Sequence, residues 1–249
     1  MGIEAGSSTY YQAKRGTVQN GLLLHLDAGV KDSADSSTWY DLSGNGNHIT
    51  LLNGAAQNKD NGGAINFDGT DDIGRRTSSF LIDPNSFTIS SFYKTTTSTP
   101  SRQPIFAMHF YAGFWNIIWI GPSYNAEYIE AAVAYNYPAG STETINKQTY
   151  ILGAWKHSNA IHEVSMTYSY SSKTLDLYFN GNLINTGTNS NMPQLGTITS
   201  NNLFQIGQYT GTTGILFRGN MYNLLIYNRK LSSDEITQNY NATRHRFGV

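Results

Sequence analysis

The chain contains no cysteine. Disulfides therefore add nothing to its stability, and thiolate nucleophiles or thiolate metal sites are excluded. Charge is also scarce. Asp, Glu, Lys and Arg together make up 13% of the 249 residues, and the formal net charge is −1. Globular domains usually carry about 25% charged residues. Nucleic-acid binding needs clustered Lys and Arg to displace counterions, so this composition argues against it. No run approaches the ~18 apolar residues of a membrane-spanning helix. The first twenty residues are too polar for a signal peptide, and the expectation is a protein that bypasses the secretory route and needs no membrane.

The missing charge is replaced by Ser, Thr, Asn, Gly and Tyr, which give a polar, uncharged, β-rich surface. All-β sandwiches and barrels often run to about 200–250 residues as one domain. Residues 1–20 lack periodicity and read as an arm, and residues 21–249 as the domain. Leu22 to Asp27 is an apolar run that ends in Asp27-Ala28-Gly29. Phe87-Thr88-Ile89-Ser90 alternates at period two, as a half-buried strand does. His162 to Tyr170 alternates less cleanly, with Val164, Met166 and Tyr168 on one side. Leu175 to Phe179 meets Asn180-Gly181, whose residues accept the positive φ of a type I′ hairpin turn, and Leu183-Ile184 begins the return strand. Leu203 to Gly207 and Met221 to Tyr227 supply two late strands. One helix is predicted near Ser232–Tyr240. There Ser232 and Glu235 form a capping box, and Ile236 and Tyr240 anchor one face.

Two stretches near the start combine apolar anchors with Asp, Asn and Gly: Trp39 to His48 and Ile65 to Asp72. Each reads as a strand running into a tight polar turn. With Gly219 to Ser232 as a closing strand, they resemble laminin-G-like jelly rolls of the concanavalin A-like lectin and glucanase superfamily, over roughly Gly21 to Tyr240. The fold this implies is a two-sheet antiparallel jelly-roll sandwich, all-β, with one short C-terminal helix. The arm Tyr11 to Gly16, the strand Gly21 to Gly29 and the ending Tyr227 to Ile236 further resemble domains of tailed-bacteriophage virion proteins. That resemblance implies a non-enzymatic structural or decorating protein on capsid or tail, assembled in the host cytoplasm, with other virion chains as partners. The alternative is a free-standing lectin that recognises a cell-surface polysaccharide.

Residues that could carry chemistry are few. Glucanases of the superfamily use a Glu-x-Asp-x-x-Glu strand, which is absent. Retaining hydrolysis needs two carboxylates about 5–5.5 Å apart. Glu127 and Glu130 are three apart, which on a strand puts them on opposite faces. Glu163 is the third glutamate considered. No metal-binding His pair, P-loop or nucleophile elbow is present, so the expectation is no enzyme. Asp27, Asp41, Asp68, Asp71 and Asp72 all lie at strand ends. Calcium takes about six to eight oxygen ligands. Asp27, Asp41 and Asp71 are the candidate ligands, against the alternative that these acids cap turns through Asx bonds. Tyr135, Asn136 and Tyr137, next to Pro138, are the candidate glycan contacts, because sugars stack on aromatic rings while amides take their hydroxyls. From Phe114 to Ile120 both alternating sets are largely apolar. Phe114, Ile118 and Ile120 form one, and Trp115, Ile117 and Trp119 the other. A second covering element, a partner chain or a ligand must shield the outer set. Tyr10, Tyr11, Trp115 and Trp119 are the expected interface residues of a homo-oligomer. Analogy with other viral jelly rolls makes that oligomer a trimer.

Overall fold

The computed structural model describes residues 16–249 apart from 77, 79, 81, 84, 97–101, 110–116, 124–127, 136–146, 155–158, 189, 191–202 and 210–213. Among the described residues the strands are β1 (Leu22–Asp27), β2 (Thr38–Trp39), β3 (Ile49–Leu52), β4 (Ala56–Asn58), β5 (Ala64–Asp68), β6 (Ile73–Arg76), β7 (Ser86–Thr95), β8 (Phe106–His109) and β9 (Ile117–Pro122). They continue with β10 (Tyr128–Tyr135), β11 (Lys147–Ala154), β12 (His162–Ser169), β13 (Thr174–Phe179), β14 (Asn182–Thr188), β15 (Leu203–Ile206), β16 (Arg218–Met221) and β17 (Asn223–Tyr227). One α-helix, α1 (Ser233–Arg244), follows.

The strands form two antiparallel sheets. The nine-stranded sheet runs β14-β13-β12-β7-β16-β5-β4, with β17 also on β7 and β1 on β17. The eight-stranded sheet runs β11-β10-β9-β8-β15-β6-β3-β2. This is the expected two-sheet sandwich with a C-terminal helix. Its core lies between the sheets and takes alternate residues from each strand. Leu24 and Leu26, Ile65 and Phe67, and Val164, Met166 and Tyr168 come from the nine-stranded sheet. Phe106 and Met108, Ile118 and Ile120, and Phe204 and Ile206 come from the eight-stranded sheet. Each is at most 1% exposed. The period-two alternation in the sequence is thus the pleat that sends every second side chain inward.

Local signals act where they were expected. Asn180 (φ 49°) and Gly181 (φ 76°) take the positive angles of the tight turn between β13 and β14. Glycine is required at 181 for a second reason, since a Cβ there would press on the Tyr240 ring. The capping box of α1 is complete: Ser232 Oγ accepts from the Glu235 amide (3.3 Å), and Glu235 Oε2 accepts from the Ser232 amide (2.9 Å). The helix runs one turn beyond Tyr240 because Asn239 and Thr243 are also buried against the sheet. It covers the outer face of the nine-stranded sheet. Ile236 packs with Val18, Tyr178, Leu225, Tyr227 and Leu231, and Tyr240 stacks on Phe92 at 5.7 Å. The segment just before β1 joins this layer: the Val18 amide donates to Asn239 Oδ1 (2.8 Å) and Tyr227 Oη donates to the Val18 carbonyl (3.1 Å).

Candidate functional site

The acidic residues at the strand ends hold turns. Asp41 Oδ1 accepts from the amides of His25 (3.0 Å) and Ser43 (2.9 Å). Its Oδ2 accepts from Ser43 Oγ and the Asn47 amide, both at 2.8 Å. The side-chain amides of Asn45 and Asn47 then donate to carbonyls of Leu22 and Leu23. The Trp39–His48 stretch is therefore a clasp that locks its turn onto β1. Asp27 accepts from the Gly29 amide (2.8 Å) and pairs with Arg246 Nη1 (2.5 Å). Asp71 is exposed and lies with Asp68 and Asp72, their ligand atoms within 4.8 Å of one another. The proposed calcium set of Asp27, Asp41 and Asp71 is not assembled, because the oxygens of Asp41 and Asp27 already serve backbone amides and a guanidinium. Asp68 accepts from the amides of Thr70 and Asp71, and the Thr70 bond holds its carboxyl below the ordinary range. Burial raises that of Asp72.

The glutamates do not form a catalytic pair either. Glu130, fully buried, sits on the outer face of the eight-stranded sheet and pairs with Arg102 at 3.0 Å. Glu163, also buried, sits on the outer face of the other sheet. There it accepts from Ser90 Oγ (3.0 Å), Ser165 Oγ and the Gly181 amide (3.0 Å). Burial pushes its carboxyl up to about 7. The whole core lies between Glu130 and Glu163, and packed sheets stand about 10 Å apart. Glu127 lies outside the described residues, as do Tyr10, Tyr11, Trp115, Asn136, Tyr137 and the side chain of Tyr135, the last residue of β10.

Trp119 is described, and it is covered from within the chain. Ile118 and Ile120 enter the core, so Trp119 points outward. Tyr209 meets its ring edge-on at 6.1 Å, Ile215 packs beside it, and the Arg102 guanidinium lies 5.5 Å from its centroid. Only 1% of Trp119 is exposed. The cover is a return loop, held by the Tyr209 amide donating to the Ile215 carbonyl (3.0 Å) and by a bridge between Gln208 and Leu216.

Strand register builds a polar and aromatic strip around this tryptophan. Thr38 faces Thr50, Thr50 faces Arg75, and Arg75 faces Gln205. Gln205 in turn faces Ala107, Ala107 faces Trp119, and Trp119 faces Ala132. Directly opposed residues share a face, about 4.5–5.5 Å apart. These seven residues therefore cross the outer face of the eight-stranded sheet in one row. Half of the row is roofed, since Gln205, Ala107, Trp119 and Ala132 are buried. The other half is open, with Thr50 exposed and Thr38 and Arg75 half-buried. At the step between them Gln205 Nε2 donates to Gln208 Oε1 (2.9 Å). The sequence carried a faint signal for this row: a small or polar residue between two large apolar ones in Phe106-Ala107-Met108 and Phe204-Gln205-Ile206.

A second concavity, of about 260 Å³, lies between β1 and the end of α1 and is lined by Thr17, His25, Asp27, Thr243, His245 and Arg246 among others. Its Asp27 and Arg246 neutralise one another.

Residues 67–237 match the concanavalin A-like lectin/glucanases superfamily. The chain belongs to that superfamily. No curated protein matches it by sequence. Among solved structures, this superfamily member is similar to domain 4 of an extracellular arabinanase from Geobacillus stearothermophilus, in complex with arabinotriose. The identity is 19% and the TM-score 0.61, covering 88% of this chain and 98% of that one. It is similar to the binding domain of botulinum neurotoxin serotype D at 13% identity and a TM-score of 0.66, covering 91% of this chain but only 53% of the neurotoxin domain. A third is a Ruminococcus gnavus sialidase carbohydrate-binding module bound to α2,6-sialyllactose, at 17% identity and a TM-score of 0.52, covering 71% of this chain and 96% of the module. At these identities the likeness is one of fold.

Proposed function

We propose that this chain is a non-catalytic glycan-binding module whose site is the open step of the outer face, at Arg75, Gln205, Gln208 and Thr50. The observation that carries the reading is the row itself. It sets a guanidinium, the Gln205–Gln208 amide pair and a hydroxyl together at the edge of the cover over Trp119, polar groups of the kind that take sugar hydroxyls. Two of the similar folds support it, since the arabinanase domain and the sialidase module were solved with oligosaccharides. The separation of Glu130 from Glu163 by the core supports binding without hydrolysis. Glycan-array binding of the purified chain tests the reading, with Gln205→Ala and Gln208→Ala as variants. Binding that both variants weaken without lowering the melting temperature supports it. Binding unchanged in both, or release of reducing sugar from a bound glycan, overturns it.

The carrier we propose for the module is a virion surface, with other virion proteins and further copies of this chain as partners. Support for that part is the resemblance of the arm and closing strand to tailed-phage domains. Since Trp119 is covered within the chain, the interface proposal rests on Tyr10, Tyr11 and Trp115. Antibody labelling of intact particles, and light scattering on the free chain, test carrier and oligomer separately.

A further inference from the structure

We propose that the glycan is acidic, and that Arg75 is the residue that reads its anionic group, a carboxylate or a sulfate ester. The inference rests on the glycan-binding reading and narrows the ligand class. Arg75 stands between Thr50 and Gln205 on the outer face. It is half-buried, and its Nε is shut off from solvent without an acceptor. Among the described residues no carboxylate pairs with it.

Most of its fellow arginines are placed differently. Arg102 pairs with Glu130, Arg229 with Glu235 and Arg246 with Asp27. Arg244 donates to Asn241 Oδ1 and the Val249 carbonyl, Arg76 reaches the Gly46 carbonyl through Nη1 although its Nε is also buried without an acceptor, and Arg218 is exposed to water. A guanidinium stays charged at every physiological pH, and holding one partly out of water without a counter-charge is costly. The chain keeps this one on a face that otherwise offers hydroxyls and amides. The acids beyond either end of the row are committed elsewhere. Asp35, beyond the Thr38 end, accepts from the amides of Ser37 and Thr38 and from Tyr40 Oη. Glu130, beyond Trp119, is held by Arg102.

The row therefore presents one net positive charge in a chain whose formal charge is −1. A planar fork of N–H donors matches a carboxylate or sulfate in a bidentate, charge-assisted contact. Gln208 and Thr50 flank it where neighbouring sugar hydroxyls would lie.

Calorimetry on the full chain with polygalacturonate, dextran sulfate and neutral dextran separates the cases, using wild type, Arg75→Gln and Arg75→Lys. The expected result is binding to one or both acidic polymers, with affinity lost by about tenfold or more in Arg75→Gln and partly kept in Arg75→Lys. The melting temperature should be unchanged or raised, because the substitution removes an unpaired charge. Preference for the first polymer identifies a carboxylate and preference for the second a sulfate. Acidic-glycan binding that Arg75→Gln leaves intact overturns the proposal, as does binding to neutral dextran alone, which keeps the glycan reading. Binding to no glycan on the array removes both. If Arg75→Gln does not fold, a salt series on the wild type decides: affinity for the acidic polymer must fall as salt rises, and indifference to salt overturns the assignment.

Discussion

Glu163→Gln should stabilise the protein at neutral and alkaline pH while leaving it unimproved in acid. Glu163 is fully buried beneath α1 and the β13–β14 turn. It is held by two serine hydroxyls and one backbone amide, with no cation among those partners. Burial moves its pKa from 4.5 to about 7. The folded state therefore holds this proton more tightly than the unfolded state. Between pH 4.5 and 7 the folded protein binds more protons, so stability falls as pH rises through that window. The contribution is fully present below about 4.5 and is lost above about 7. The interval of roughly two to three units corresponds to about 3 kcal/mol. In Glu163→Gln the new side chain would aim its carbonyl at the Gly181 amide and its NH₂ at Ser90 and Ser165, whose hydroxyls can turn to accept. It would lack the titration. Urea denaturation of both proteins at pH 4.5, 6 and 8 reads the difference between them, which cancels the acids that titrate alike in both. Glu235, held near 2 chiefly by its bond to Arg229, is one such acid. The variant should gain about 3 kcal/mol relative to wild type between the ends of the series. A difference that is the same at pH 4.5 and pH 8 would show Glu163 titrating normally and refute the argument.

Asp41→Ala removes the four bonds its carboxylate accepts, one from β1 at the His25 amide and three from within the turn, and should cost about 3 kcal/mol in chemical denaturation. A loss below about 0.5 kcal/mol would mean that water replaces the carboxylate without penalty. Gly121→Ala puts a Cβ against the Gln103 carbonyl oxygen, where segment 103–105 pairs alongside β9, and should lower stability by about 2 kcal/mol or more. An unchanged melting curve would show that this segment shifts freely. Millimolar calcium or chelator should leave the melting temperature unchanged, since Asp27 and Asp41 are already committed. A rise of several degrees with calcium would refute this and point to Asp68, Asp71 and Asp72, whose ligand atoms lie within 4.8 Å of one another.

What could be read in the sequence was local. Asn180-Gly181 announced its turn because few other pairs tolerate two positive φ angles, and Ser232 with Glu235 announced α1 through a bond spanning one helical turn. The Trp39–His48 stretch was legible as a turn, but its carboxylate suggested a cation where the fold supplies amides. The row across the outer face was not legible. Arg75 and Gln205 belong to strands far apart in the chain, and only the order β8-β15-β6-β3 brings them side by side. The cover over Trp119 was hidden for the same reason, because Tyr209 and Ile215 reach it from a loop long after the strand they shield.

The pairing of β1 with β17 governs how the molecule can be made. β17 lies between β1 and β7, so β1 and residues 88–90 of β7 lack this neighbour until Asn223–Tyr227 exists. At roughly 5–20 residues per second, translation leaves the first strand waiting for about ten to forty seconds. Closure of this part of the sheet waits for that interval, during which the edges of β1 and of residues 88–90 of β7 are open to any passing strand. A circular permutant that links the two chain ends, keeping α1, would place β17 and β1 far closer in sequence, and it should fold faster without altering the row that carries Arg75.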